Sequence, residues 1–146
     1  MTEYPILSID YGEKHFGLAV SDSKGLLATP LDTLLKGRNT TTLDIINTIK
    51  EICTEYRIKT ILLGYPQAFV KKHEETQNKI NNFKAKLFSN TDIPIIMYDE
   101  SFSTTTAQNM LTSTGQNSKK SRGKIDKIAA TVFLQEFLNS KQDNNV

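Results

Sequence analysis

The chain has 146 residues, 38% of them hydrophobic, and a net charge of +2 from 18 Lys and Arg against 16 acids. That length and apolar content suit one domain with its own core, and no run approaches the roughly 20 apolar residues that a membrane-spanning helix needs. So small a net charge sets up no global field demanding a polyanionic partner.

The N-terminal Met1-Thr2-Glu3-Tyr4-Pro5 lacks the basic-then-apolar pattern of a secretory signal. The lone Cys53 cannot form an internal disulfide and fits a reducing compartment. The expectation is a cytoplasmic protein. A single domain is expected over residues 1–140, with the polar 141–146 as a frayed tail.

Ile6 to Asp10 reads as a short strand, with Tyr11-Gly12-Glu13-Lys14 as the turn after it. Gly17 to Asp22 is the return strand, and a third extended stretch around Leu27 to Leu31 follows the turn Ser23-Lys24-Gly25. Three short strands with tight turns predict an antiparallel meander. The period then changes. Ile45, Ile46, Ile49, Ile52, Cys53 and Tyr56 recur at helical spacing after threonines able to cap the helix. Cys53 falls on that apolar stripe and reads as core. The continuous apolar run from Thr60 to Gly64 predicts a strand covered on both faces. Glu74 to Phe88 reads as a helix with Ile80, Phe83 and Leu87 inward, and Pro94 to Glu100 as a second buried strand. Ser103 caps a predicted short helix carrying Ala107, Met110 and Leu111, and 112–123 reads as loop. The last helix is predicted over Ile125 to Leu138, with Ile128, Ala129, Val132 and Phe137 inward. A meander followed by alternating helices and strands predicts an α/β fold: a mixed five-stranded sheet with helices on both faces. That element order resembles the ribonuclease H-like fold.

Three carboxylates stand where chemistry could use them. Asp10 ends the first strand on the same face as Ser8, where the turn is expected to expose it, although an acid there is ordinarily a turn residue. Glu100 ends the strand after Ile95-Ile96-Met97-Tyr98, and ligands gather at the carboxyl ends of strands in open α/β sheets. Asp99 is its rival, because alternation turns only one of the pair toward a given face. Asp126 lies in the first turn of the predicted last helix, where an acid also favours the helix dipole. A cluster of the three would repel itself unless a divalent cation neutralised it, and hard oxygen ligands suit Mg²⁺ or Mn²⁺. Two such ions about 4 Å apart can activate a water and stabilise the leaving oxygen of a phosphodiester. Lys119, Lys120, Arg122, Lys124 and Lys127 fall within nine positions with Asp126 the one acid among them. Such a run is ordinarily a solvated loop, but beside the acids it could grip a backbone phosphate.

The run from Ile9 through Asp10-Tyr11-Gly12-Glu13-Lys14 to Asp22 resembles the opening signature of the YqgF/RuvX family. Leu63-Gly64-Tyr65-Pro66, Asp99-Glu100-Ser101-Phe102-Ser103-Thr104 and Ile125-Asp126-Lys127-Ile128-Ala129-Ala130 are similar to its later motifs, in order. The resemblance implies a ribonuclease H-like nuclease related to the Holliday junction resolvase RuvC, with a role in maturing the 5′ end of pre-16S ribosomal RNA. It implies Asp10, Glu100 and Asp126 as catalytic metal ligands for Mg²⁺ or Mn²⁺, and it favours Glu100 over Asp99. Lys14, Lys119, Lys120, Arg122 and Lys124 are the predicted nucleic-acid contacts. The family's frequent Arg and Leu of the third motif are here Ser101 and Phe102, and its polar loop after Gly64-Tyr65-Pro66 is here Gln67 to Lys72. His15 and His73 match nothing catalytic and read as surface residues. Two further readings stand beside pre-rRNA cleavage: resolution of branched DNA, and nucleic-acid binding without turnover. An actin-like nucleotide binder would need a second such domain to enclose its ligand.

Overall fold

Alternation sorts the apolar residues of the central strands onto two faces, and helices cover both. In the computed structural model, which describes residues 2–65, 74–99 and 118–143, five strands form one sheet. They are β1 (Ile6–Asp10), β2 (His15–Ser21), β3 (Ala28–Leu35), β4 (Thr60–Tyr65) and β5 (Ile95–Asp99), in the order β3-β2-β1-β4-β5. β1, β2 and β3 make the predicted antiparallel meander. β4 pairs in parallel with β1, and β5 with β4, so the sheet is mixed. The ribonuclease H-like order is therefore present.

Leu7 and Ile9 of β1 join Phe16, Leu18, Ile61 and Leu63 on one face, under α1 (Thr42–Glu55) and α2 (Glu74–Asn90). Ile6, Ala19 and Leu62 lie on the other face, under α3 (Ser118–Asp143). α1 begins with a capping box in which Thr41 and Asp44 each accept from the other's backbone N–H. It buries Ile45, Ile46, Ile49 and Cys53, while Tyr56, its C-cap, is exposed. α2 buries Ile80, Phe83 and Leu87, the three residues its spacing picks out.

α3 starts seven residues before the predicted Ile125, inside what reads in the sequence as loop. Its first turns lack an apolar stripe and contain Gly123, a poor helix residue, so periodicity gives no signal there. The buried side is Ala129, Ala130, Phe133, Leu134, Phe137 and Leu138, with Ile128 and Val132 half-buried at its margin. β5 is a half-buried strand at the edge of the described sheet rather than a fully buried one, because β4 alone flanks it there. The short helix expected after Ser103 lies outside the described residues. Among the described residues no helix is long and apolar enough to cross a membrane.

The direction of α3 positions the site. The carbonyl of Ala130 accepts a hydrogen bond from Ser8 Oγ at 3.0 Å. Thirteen residues before its end the helix is thus level with β1, and Gln142 Nε2 reaches the Gly25 carbonyl at 3.2 Å. Gly25 adopts φ +70 and would press any Cβ to 2.6 Å from the Tyr4 ring, so its turn packs at the start of β1. α3 therefore runs opposite to β1, and its first turns point toward Asp10.

Candidate functional site

Asp10 is buried, with 7% of its surface exposed, and not solvent-facing as its place before a turn suggests. The parity reading holds: Ser8 two residues earlier contacts α3, so position 10 is on the α3 face. Its cross-strand partners are Gly17 on β2 and Gly64 on β4. Both glycines fall on the same face, two residues from Ala19 and Leu62 respectively, which pack under α3. The carboxylate is thus flanked on each side by a residue with no side chain. Neither glycine stands out in the sequence beyond its strand. Only the register puts both beside Asp10, at the carboxyl end of β1 and β4.

The row continues to β5, where Gly64 pairs with Tyr98. The Tyr98 ring stacks on Phe133 of α3 with centroids 5.4 Å apart, and its hydroxyl lies 3.2 Å from Glu136. Tyr98 and Ile96 accordingly face α3, whereas Ile95 and Met97 pack on the α1–α2 side. Position 99 shares the parity of Met97. Glu100 lies outside the described residues.

Asp126 is in α3, four residues and one helical turn before Ala130. Four helical residues rise about 6 Å, close to the roughly 6.6 Å between Ser8 and Asp10 along the strand, so the backbones of positions 126 and 10 are at similar height. Asp126 is not in the first turn of its helix, which holds no acid, so a dipole role no longer accounts for it. Lys119, Lys120, Arg122 and Lys124 lie in the first turns of α3 rather than in a loop. Lys14 is exposed in the β1–β2 turn, and its carbonyl accepts from the Lys36 N–H at 2.8 Å. His15 is half-buried at the start of β2, and His73 lies outside the described residues. Among the described residues no three His, Cys, Asp or Glu side chains are grouped to hold a metal.

On the opposite face of β1, Tyr11 packs against Phe16 and Phe83, with centroids 5.5 and 5.3 Å away. Burial raises the Tyr11 hydroxyl above its ordinary pKa, and the nearby Glu13 carboxylate adds to the rise. Glu13 accepts from Lys79 Nζ at 2.8 Å, and that hydrogen bond holds its carboxyl below the usual value.

The model of the RuvX family, described as Holliday junction resolvase, matches residues 4–140. A Geobacillus kaustophilus protein named as a candidate pre-16S rRNA nuclease is 36% identical over 137 residues, covering 93% of this chain and 98% of that protein. A Clostridium acetobutylicum protein of the same name is 34% identical over 135 residues, covering 92% and 98%. Among solved structures, Thermus thermophilus RuvC in complex with a Holliday junction substrate superposes with a TM-score of 0.59 at 15% identity, covering 94% of this chain and 95% of that one. The yeast mitochondrial Holliday junction resolvase gives 0.51 at 12% identity, covering 97% and 84%.

Proposed function

This chain belongs to the RuvX family, and on that premise we propose that it is a metal-dependent nuclease acting in 5′-end maturation of pre-16S ribosomal RNA. The observation that carries the reading is Asp10 itself. It is a nearly buried carboxylate at the carboxyl end of two central strands and between two glycines, which is where ligands gather in an open α/β sheet. The flanking glycines leave the room that a cation and a scissile phosphate would need.

Asp10, Glu100 and Asp126 are the proposed ligands. Glu100 follows Asp99 and returns, if the pleat of β5 continues, to the parity of Tyr98 and hence to the α3 face. Asp126 is on the helix that covers that face, at the height of Asp10. Three hard oxygen donors fit Mg²⁺ or Mn²⁺, and a pair of such ions would supply water activation and leaving-group stabilisation. The chain's own part is to hold the carboxylates rigid: β1 is hydrogen-bonded on both sides, and Ser8 ties it to α3. Lys119, Lys120, Arg122 and Lys124, beyond Asp126 toward the helix N-terminus, are proposed to hold the substrate backbone, with Lys14 across the strand ends. We treat residues 1–140 as the nuclease domain and its work as cytoplasmic, where ribosomes are made.

The test is cleavage of 5′-extended pre-16S RNA with Mg²⁺ or Mn²⁺, beside a four-way DNA junction and an Asp10→Asn variant. RNA cutting that is lost in the variant supports the reading. The family's description keeps branched DNA as the second reading, and cutting of the junction alone would establish it. Binding of either substrate without cutting would leave a nucleic-acid-binding factor in place of an enzyme.

A further inference from the structure

A cleft of about 320 Å³ opens on the α1–α2 face, lined by Tyr11, Glu13, Phe16, Lys36, Thr42, Lys79, Asn82, Phe83 and Lys86. Its floor is aromatic: Tyr11, Phe16 and Phe83 contact one another in all three pairings, at centroid separations of 5.3 to 5.5 Å. Its rim is cationic. Lys79 and Lys86 project from one stripe of α2, seven residues apart, with Asn82 and Phe83 between them. Lys36 comes from the end of β3 and donates to the Thr42 hydroxyl at 3.0 Å, a neutral acceptor. Three lysines thus face one glutamate, and Glu13 already pairs with Lys79.

Like charges gathered over an apolar floor repel one another and focus their field outward, so such a cleft attracts an anion. Two features select a nucleic-acid backbone over other anions. Tyr11 is the residue directly after Asp10, so the cleft opens at the same end of the sheet as the acid, on the other side of the strand. The cations are also spread around the rim on separate elements, which suits successive phosphates of a strand better than one compact ion.

We propose that this cleft binds a phosphodiester stretch of single-stranded substrate away from the scissile bond, through Lys36 and Lys86. The identity of that strand rests on the nuclease reading; the anion chemistry does not. A strand bent around the β1–β2 turn would reach Asp10 with one segment and the cleft with another. Positions 36 and 86 belong to none of the motifs that carry the family resemblance, and they meet only once β3, α1 and α2 are packed.

The experiment measures binding of a short fluorescent single-stranded oligoribonucleotide to the full chain in EDTA, across a salt series. For single strands each phosphate contact contributes about 0.7 to the slope of log affinity against log salt, so Lys36→Gln with Lys86→Gln should lower the slope by roughly 1.4. The exposed Lys24, in the β2–β3 turn, serves as control, and Lys24→Gln should leave the slope unchanged. A wild-type slope in the double variant would overturn the proposal, as would absence of binding by the wild type. In a parallel titration with inorganic pyrophosphate, loss of its binding in the double variant with RNA binding unmoved would make the cleft a small-anion site and equally overturn it. Because no divalent ion is present, failure of the cleavage reading cannot be mistaken for failure here.

Discussion

The competition between Asp99 and Glu100 turns on a single step of the pleat. Tyr98 stacks on Phe133, so position 99 takes the parity of Met97, away from α3, and on the proposed ligand set Glu100 is the acid of the pair that serves the site. Glu100→Gln should therefore abolish metal-dependent cleavage, while Asp99→Asn keeps most of it; equal losses from the two would refute the parity argument. Cys53 illustrates the opposite kind of residue, one that the core has made inert. Burial raises its thiol from the usual 9.0 to about 11. The folded state thus favours the protonated form, and that contribution to stability is complete below pH 9 and disappears as the pH rises through about 11. Tyr11, also raised by burial, weakens the fold in the alkaline range as well. The difference between the wild type and Cys53→Ala isolates the thiol: urea unfolding should show the wild type losing more stability than the variant between those two pH values.

At the scale of elements, α1 ends in a motif that the sequence disguises. Ile58 N–H donates to the Cys53 carbonyl and Arg57 N–H to that of Thr54, the paired bonds of a Schellman cap. The residue that must adopt positive φ in this motif is ordinarily glycine, but here it is Arg57 at φ 54. Arg57→Gly should raise the unfolding free energy by about 0.5–1 kcal/mol, measured by urea titration, because the left-handed conformation costs any residue with a Cβ more than that. Ser8 is the second such point. Its hydroxyl lies 3.3 Å from the Ala19 carbonyl and 3.0 Å from that of Ala130, with no surface exposed. Ser8→Val would push α3 off the sheet, so overpacking of about 1–3 kcal/mol is expected, and cleavage should fall because Asp126 moves with the helix. Normal turnover in Ser8→Val would show that α3 does not set the site. Elements with strong periodicity, such as α1 and α2, were legible from the chain alone, as were the strands of the meander. The start of α3 was not, since Ser118 to Lys124 carry no apolar repeat and the helix there continues from turns already packed on the sheet. The burial of Asp10 was hidden too, because a neighbour on a paired strand, and not on the chain, decides how deep a strand-end residue lies.

The whole molecule carries a net charge of only +2, so its affinity for nucleic acid has to come from how cations are distributed. The recovery of α3 as a long helix changes what the basic segment can do. In a loop, Lys119, Lys120, Arg122 and Lys124 would be ordered only on binding, at a cost in chain entropy. In a helix their backbone is already fixed. At 1.5 Å per residue they rise about 9–16 Å from Ala130, past the level at which Asp10 ends its strand. Helical spacing sets Lys119 and Arg122 on the stripe that continues through Asp126, with Lys120 and Lys124 to one side of it. On the proposed function, these four positions are the ones that would carry the backbone of a substrate laid across the carboxyl ends of the strands. Replacing these four residues with Gln should weaken binding of pre-16S RNA uniformly across sequences and flatten its salt dependence by about 0.7–0.9 per lost phosphate contact. It should leave the thermal midpoint nearly unchanged, since charge substitutions that remove no core contact seldom shift stability by more than about 0.5 kcal/mol. Turnover at saturating RNA is the discriminating quantity. If the basic turns only hold substrate, saturation restores the rate and the loss appears in KM; if kcat falls as well, the same residues help align the scissile phosphate with Asp10.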